Sequence, residues 1–282
     1  MKEEGDPKIY LLPNLATAGN LCFGFASILK ILEGALQFSV DPVGAQESFH
    51  LAVLFILGAC IFDLLDGRLA RLGGNESDFG REFDSIADIV SFGVAPALLV
   101  YRVVLYEFIR NGYNTGWAMA VSSLYLVCGA LRLARFNCIA AANSSAASKE
   151  FKGFPIPAAA GLIASLTLFM LWMWKSEREL GRWKWVLPPL MIFLSFMMFS
   201  GFKYPSFKSI NWRTRLSIPL FLLFLGVLVV TAMNLQWMPA VIFICYLLYG
   251  FVRPFISRQW RRGIEDSEDD DEEHAPESPG GK

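Results

Sequence analysis

The chain has 282 residues, 54% of them hydrophobic and 18% charged, with a mean hydropathy of +0.42. Its 25 basic and 26 acidic residues nearly cancel, to a net charge of −1. This balance offers no nucleic-acid footprint, and apolar residues gathered in long blocks are not those of a water-exposed globule. Met1–Pro7 is charged and residues 15–36 lack a good cleavage site, so no cleavable signal is expected.

A bilayer helix needs roughly 20 mostly apolar residues. Eight blocks approach or meet that requirement: 15–36, 48–72, 84–106, 117–136, 157–174, 185–200, 215–233 and 237–253. No barrel-type alternation appears, so the expected fold is all-α: a polytopic membrane bundle of about eight transmembrane helices. Residues 1–256 form one membrane domain in this reading. Residues 257–282, basic and then acidic through Glu265–Glu273, form a disordered cytoplasmic tail.

The first helix opens at Leu12-Pro13-Asn14, where Pro13 suits a helix start and Asn14 can cap it. Thr17 and Asn20 follow on a similar face, placed to meet a substrate. The second helix carries Asp63 and Asp66 in its last turns and breaks at Gly73-Gly74-Asn75. A short polar connection over 75–83 leads to a third helix that begins close to Gly80–Asp84. The fourth ends in Arg132-Leu-Ala-Arg135-Phe-Asn137, followed by a small polar loop over Ala140–Ser148.

Pro155 and Pro157 start the fifth helix, where small residues permit close packing. Trp172, Trp174, Trp183 and Trp185 frame the next connection as an interfacial aromatic belt. Cys22, Cys60, Cys128, Cys138 and Cys245 show no metal-type spacing and read as small buried hydrophobes.

With the N-terminus inside, the inner segments hold most of the basic residues, among them Arg68, Arg71, Arg132, Arg135 and Lys208. The positive-inside rule therefore puts the acidic motif on the cytoplasmic face, most simply of the cytoplasmic membrane. The Lys175–Lys184 loop runs against this rule locally.

Asp63, Asp66, Gly67 and Ala70 fall at i, i+3, i+4 and i+7, on one helical face; Asp84 and Asp88 fall at i and i+4. Ionisable groups at the edge of bilayer helices are costly and usually mark a working site. A short connection lets the four carboxylates converge, where they would repel or take up protons unless a cation neutralised them. Hard oxygen ligands suit Mg²⁺, Mn²⁺ or Ca²⁺, and four carboxylates can share two ions, an arrangement suited to chemistry on a diphosphate. Gly67 and Ala70 remove bulk where a substrate could approach, and Arg71 can pair with a carboxylate or grip phosphate. The competing view is of structural pairs between these aspartates and Arg68 or Arg71.

The stretch resembles the signature of the CDP-alcohol phosphotransferase family, D-x-x-D-G-x-x-A-R-x8-G-x-x-x-D-x-x-x-D. It matches at Asp63, Asp66, Gly67, Ala70, Arg71, Gly80, Asp84 and Asp88. The resemblance implies a membrane enzyme that cleaves a CDP-linked donor, transfers a substituted phosphate to an alcohol and releases CMP. It implies that the four aspartates hold two ions, Mg²⁺ or Mn²⁺, and that Asp88 takes the proton of the acceptor hydroxyl. Asn14, Thr17, Gly67, Ala70, Arg71 and Gly80 would border the CDP moiety. A homodimer is a further expectation from the family.

Leu12–Phe25, Gly129–Asn137, Phe154–Gly161 and Tyr204–Lys208 resemble the phosphatidylserine synthase subgroup. That implies CDP-diacylglycerol and L-serine as substrates, with Arg132, Arg135 and Lys208 holding the serine carboxylate or the lipid phosphate, unless they serve as positive-inside anchors. The alternatives are another acceptor (glycerol phosphate or an inositol phosphate), an archaeal ether-lipid donor or, from a different class, a divalent-cation transporter. Neither His50 nor His274 is followed by Lys two residues on, which excludes a phospholipase D-type covalent histidine.

Overall fold

The computed structural model describes residues 11–72, 78–142, 151–175, 183–200, 203–204 and 230–252. Within the bilayer every backbone polar group must be satisfied internally, and apolar runs of this length meet that demand as helices. The helices are α1 (Leu11–Gln37), α2 (Pro42–Leu72), α3 (Asp78–Asp88), α4 (Ala95–Val100), α5 (Tyr106–Arg110), α6 (Thr115–Ala142), α7 (Ile156–Lys175), α8 (Leu187–Phe199) and α9 (Met238–Val252). Two π-helical segments, Ile89–Val94 and Tyr101–Leu105, join α3, α4 and α5 into one continuous rod. Among the described residues, five helices are long and apolar enough to cross a membrane: Leu12–Gln37, Pro42–Leu69, Phe79–Arg110, Thr115–Ile139 and Ile156–Trp174. Two shorter apolar helices, Leu187–Phe199 and Met238–Tyr249, accompany them.

The protein is thus a helical, multi-pass membrane bundle, as expected, and seven of the eight expected blocks are helices. The eighth, 215–233, lies outside the described residues except for helical 230–233, and so does the whole 257–282 tail. The third helix begins earlier than expected, at Asp78, so much of the 75–83 connection is helical. The fourth runs on to Ala142. A two-residue antiparallel ladder not anticipated from the sequence pairs β1 (Phe151–Lys152) with β2 (Lys203–Tyr204).

Local chemistry sets the helix boundaries. The Asp41 carboxylate accepts from the Gly44 N–H at 3.0 Å at the start of α2. Asn114 does the same for Gly116 at 2.7 Å, where α6 begins. Gly112, at φ +91°, turns the chain between the third span and α6. Gly153, at φ +92°, sits so close to α8 that a Cβ would lie 2.5 Å from the Met198 carbonyl oxygen.

α1 and α2 form a tight hairpin. The Phe23 ring packs on Phe55 and Phe62, with centroids at 5.7 and 5.0 Å, and lies over Gly58. Ser27 donates to the Ala52 carbonyl at 2.9 Å. Phe49, Ile56, Phe92, Leu99, Tyr125, Phe154 and Leu162 fill the centre. Large apolar side chains such as Leu32, Ile61, Met119 and Phe196 face outward, as lipid solvation permits. Cys22, Cys138 and Cys245 are also exposed, and Cys60 and Cys128 are half-buried, which corrects the expectation of five buried thiols. α9 packs on α7, where the Phe243 ring covers Gly161.

Candidate active site

The ends of α2 and α3 bring three carboxylates together. One oxygen from each of Asp63, Asp66 and Asp84 lies within 4.8 Å of the others. Asp66 is 6% exposed, and its Oδ2 has no hydrogen-bond partner among the described residues. At an effective dielectric near 20, each pair of charges at this separation repels by about 3–4 kcal/mol. A buried orphan oxygen among like charges fits a cation ligand, and an all-carboxylate donor set fits a hard divalent ion.

Asp88 stands outside that triad, one turn further along the rod, and is also 6% exposed. Asn20 of α1 donates from Nδ2 to Asp88 Oδ1 at 3.2 Å. The hydroxyl of Ser91, in the π-helical segment that follows Asp88, donates to the Asn20 carbonyl at 3.0 Å. On the other flank Tyr125 of α6 donates to the Phe92 carbonyl at 3.0 Å. Within the segment the Ala95 N–H reaches the Val90 carbonyl, an i, i+5 bond. π-turns of this kind recur at functional sites.

The first helix brings Thr17 and Asn20 to the acidic cluster. Thr17 is buried beside the Asp66 carboxylate, and its hydroxyl donates to the Pro13 carbonyl at 3.1 Å. Asn14 lies inside α1, which begins at Leu11, so it is not the helix cap. Its buried Nδ2 has no partner among the described residues. Gly67 borders open space: a Cβ built there meets no atom within 4 Å. Gly80 is half-buried in the first turn of α3. The side chains of Ala70 and Arg71, and all of Lys208, lie outside the described residues.

α6 divides its two arginines. Arg132 is half-buried within electrostatic reach of Asp88 and Asp63, with Tyr246 of α9 close by, and its Nε is buried without a hydrogen-bond partner among the described residues. Arg135 is exposed. Asn137 donates from Nδ2 to Ser85 Oγ at 2.9 Å, and Ser85 in turn donates to the Arg81 carbonyl at 3.1 Å. This contact locks α6 to α3 between Asp84 and Asp88. Ser91, Tyr125 and Asn137 were given no defined role from the sequence, and Asn20, expected to meet a substrate, donates to Asp88. A polar residue repeated on the α1 face of Asn14 and Thr17 was the available signal for Asn20.

Comparison with known proteins agrees with this geometry. The chain is 36% identical over 245 residues to a CDP-diacylglycerol–serine O-phosphatidyltransferase of Helicobacter pylori, covering 87% of this chain and 91% of that protein. It is 32% identical to a protein of the same name from Methanocaldococcus jannaschii, covering 81% and 92%. An archaetidylserine synthase of Methanothermobacter thermautotrophicus is 34% identical, over 69% of each chain. The family model for CDP-alcohol phosphatidyltransferase matches residues 10–199, from the first turn of α1 to the end of α8. Its aspartates, its helices and its relatives thus agree, and the chain belongs to the CDP-alcohol phosphatidyltransferase family.

Proposed function

We propose that the chain transfers the phosphatidyl group of CDP-diacylglycerol to the hydroxyl of L-serine, giving phosphatidylserine and CMP. The observation that carries the chemistry is the carboxylate triad with Asp88 beside it. Serine is favoured as acceptor by the names of the relatives that match most of the chain. The family match over residues 10–199 favours this enzyme over a cation transporter.

In the reaction the serine oxygen forms a bond to the phosphatidyl phosphorus, and the bond from that phosphorus to the CMP oxygen breaks. Asp88 accepts the hydroxyl proton as the new bond forms. The open flank of Gly67 admits the diphosphate against the α2 backbone. Asn14 and Thr17 on α1, with Ala70, Arg71 and Gly80, border the CDP portion. Arg132 attracts the serine carboxylate or the lipid phosphate, with Arg135 and Lys208 contributing from the periphery. Asp63, Asp66, Asp84 and Asp88 are the ligands for two ions, Mg²⁺ or Mn²⁺. When bound, these ions neutralise the diphosphate and the charge that develops on CMP.

Residues 1–256 act as one catalytic unit with 257–282 as its appendage, and the enzyme works as a homodimer. The site faces the cytoplasm, where the basic residues of the inner segments gather.

Purified protein is tested with CDP-diacylglycerol, Mn²⁺ and each of serine, glycerol phosphate and inositol phosphate. Serine-dependent CMP release, absent with the other two alcohols, is expected; its absence sinks the serine reading. Because an archaetidylserine synthase is among the relatives, an ether-linked CDP donor is assayed in parallel.

A further inference from the structure

We propose that Asn20 is a positioning residue for Asp88, and that the Asn20–Ser91 pair forms a two-point clamp that aims the Asp88 carboxylate at the acceptor. The inference rests on the reading of Asp88 as base. Asn20 is fully buried and lies 68 positions from Asp88 in the chain. Only the N–H end of its amide can face a carboxylate, so the chemistry fixes which way the side chain points.

The bond engages Asp88 Oδ1 and leaves Oδ2 to take the proton. One hydrogen bond leaves an amide free to swing about its own torsions. Here the Asn20 backbone is held as well, because Ser91 donates to its carbonyl from the turn that carries Asp88. Each residue thereby fixes the other's helix: α1 orients the carboxylate, and the π-helical segment anchors α1. Gly24 keeps the two backbones close, since a Cβ there would lie 2.7 Å from the Ser91 Cα. Partners that orient a metal-ligating side chain typically cost 10–100-fold in metal affinity or activity when removed.

The test is a double-mutant cycle on the full-length protein, with CMP affinity measured by calorimetry in Mn²⁺ alongside kcat and KM. Asn20→Leu is expected to lower kcat 10–100-fold while CMP affinity stays within twofold. Asp88→Asn is expected to lower kcat further, and adding Asn20→Leu to Asp88→Asn is expected to cost nothing more. Independent, multiplying losses in the double variant overturn the inference alone, as does a fall in CMP affinity that accounts for the loss in Asn20→Leu. Full transfer by Asp88→Asn overturns the base reading and the inference with it. Should Asn20→Leu not yield monodisperse protein, Asn20→Ser and Ser91→Ala carry the test. Each is expected to lower kcat three- to tenfold at unchanged CMP affinity, and unchanged kcat in both overturns the clamp.

Discussion

Gly24 of α1 and Ser91 of the third span meet at backbone distance: a Cβ added to Gly24 would fall 2.7 Å from both the Cα and the Cβ of Ser91. No rotamer relieves a clash with a Cα, so one helix must move. Gly24→Ala is expected to cost about 1–3 kcal/mol, as overpacked cores do. It should also pull Asn20 from Asp88 and lower transfer at least tenfold. Thermal unfolding in detergent, read with CMP release, checks this; an unchanged melting temperature with full activity would refute the close approach.

Gly67 is the opposite case. A Cβ there meets no described atom within 4 Å, and alanine favours a helix over glycine by about 0.8–1 kcal/mol. Gly67→Ala should therefore melt no lower than the parent. If the open flank receives the diphosphate, KM for CDP-diacylglycerol should rise about tenfold or more. Parent-like kinetics would remove Gly67 from the donor site.

The triad of Asp63, Asp66 and Asp84 repels itself when no cation is present. Chelation should lower the melting temperature, and Mg²⁺ or Mn²⁺ at about 100 times its dissociation constant should restore about 2.7 kcal/mol. Asp66→Asn removes two of the three repulsions. Its metal-free protein should melt higher than the metal-free parent, yet gain little from Mn²⁺ and transfer at least about 100-fold more slowly. Equal responses to Mn²⁺ in parent and variant would show that the triad holds no ion.

Arg132 and Arg135 lie one turn apart on α6 and should behave differently. Arg132→Ala leaves the Asp88 side of the site without its half-buried cation, and kcat/KM should fall about 100-fold. Arg132→Lys should recover only part of this, because an ammonium lacks the planar fork. Arg135 is exposed, and Arg135→Ala should stay within about threefold. Similar losses at both positions would point to a general basic surface.

The sequence made the aspartates conspicuous because charge in an apolar block is expensive, and their i, i+3 and i, i+4 spacing announced two faces. The helix count followed from the same solvent argument. The family resemblance implied a separate role for Asp88, but nothing in the spacing says that it stands outside the triad, because that depends on how α3 docks on α2. Ser91 and Asn137 were equally silent, and Asn20 was marked by its helix face but not by its partner. Each is a single small polar residue whose role is fixed by a partner at least 52 positions away. Periodicity reports which face is apolar but not a local change in the number of residues per turn, so the π-helical segments were invisible to it.

Those segments give the third span a reserve of length that its apolar composition conceals. A turn closed by an i, i+5 bond holds one residue more than a regular α-helical turn. In a helix that is α throughout, losing one residue would swing everything before the gap by about 100°, close to a third of a revolution. Loss of one residue from Ile89–Val94 would instead let that turn wind as a regular α-helix, with Asp84 and Asp88 still facing the same neighbours. A one-residue gap that would misdirect the acids of an ordinary membrane helix is absorbed here.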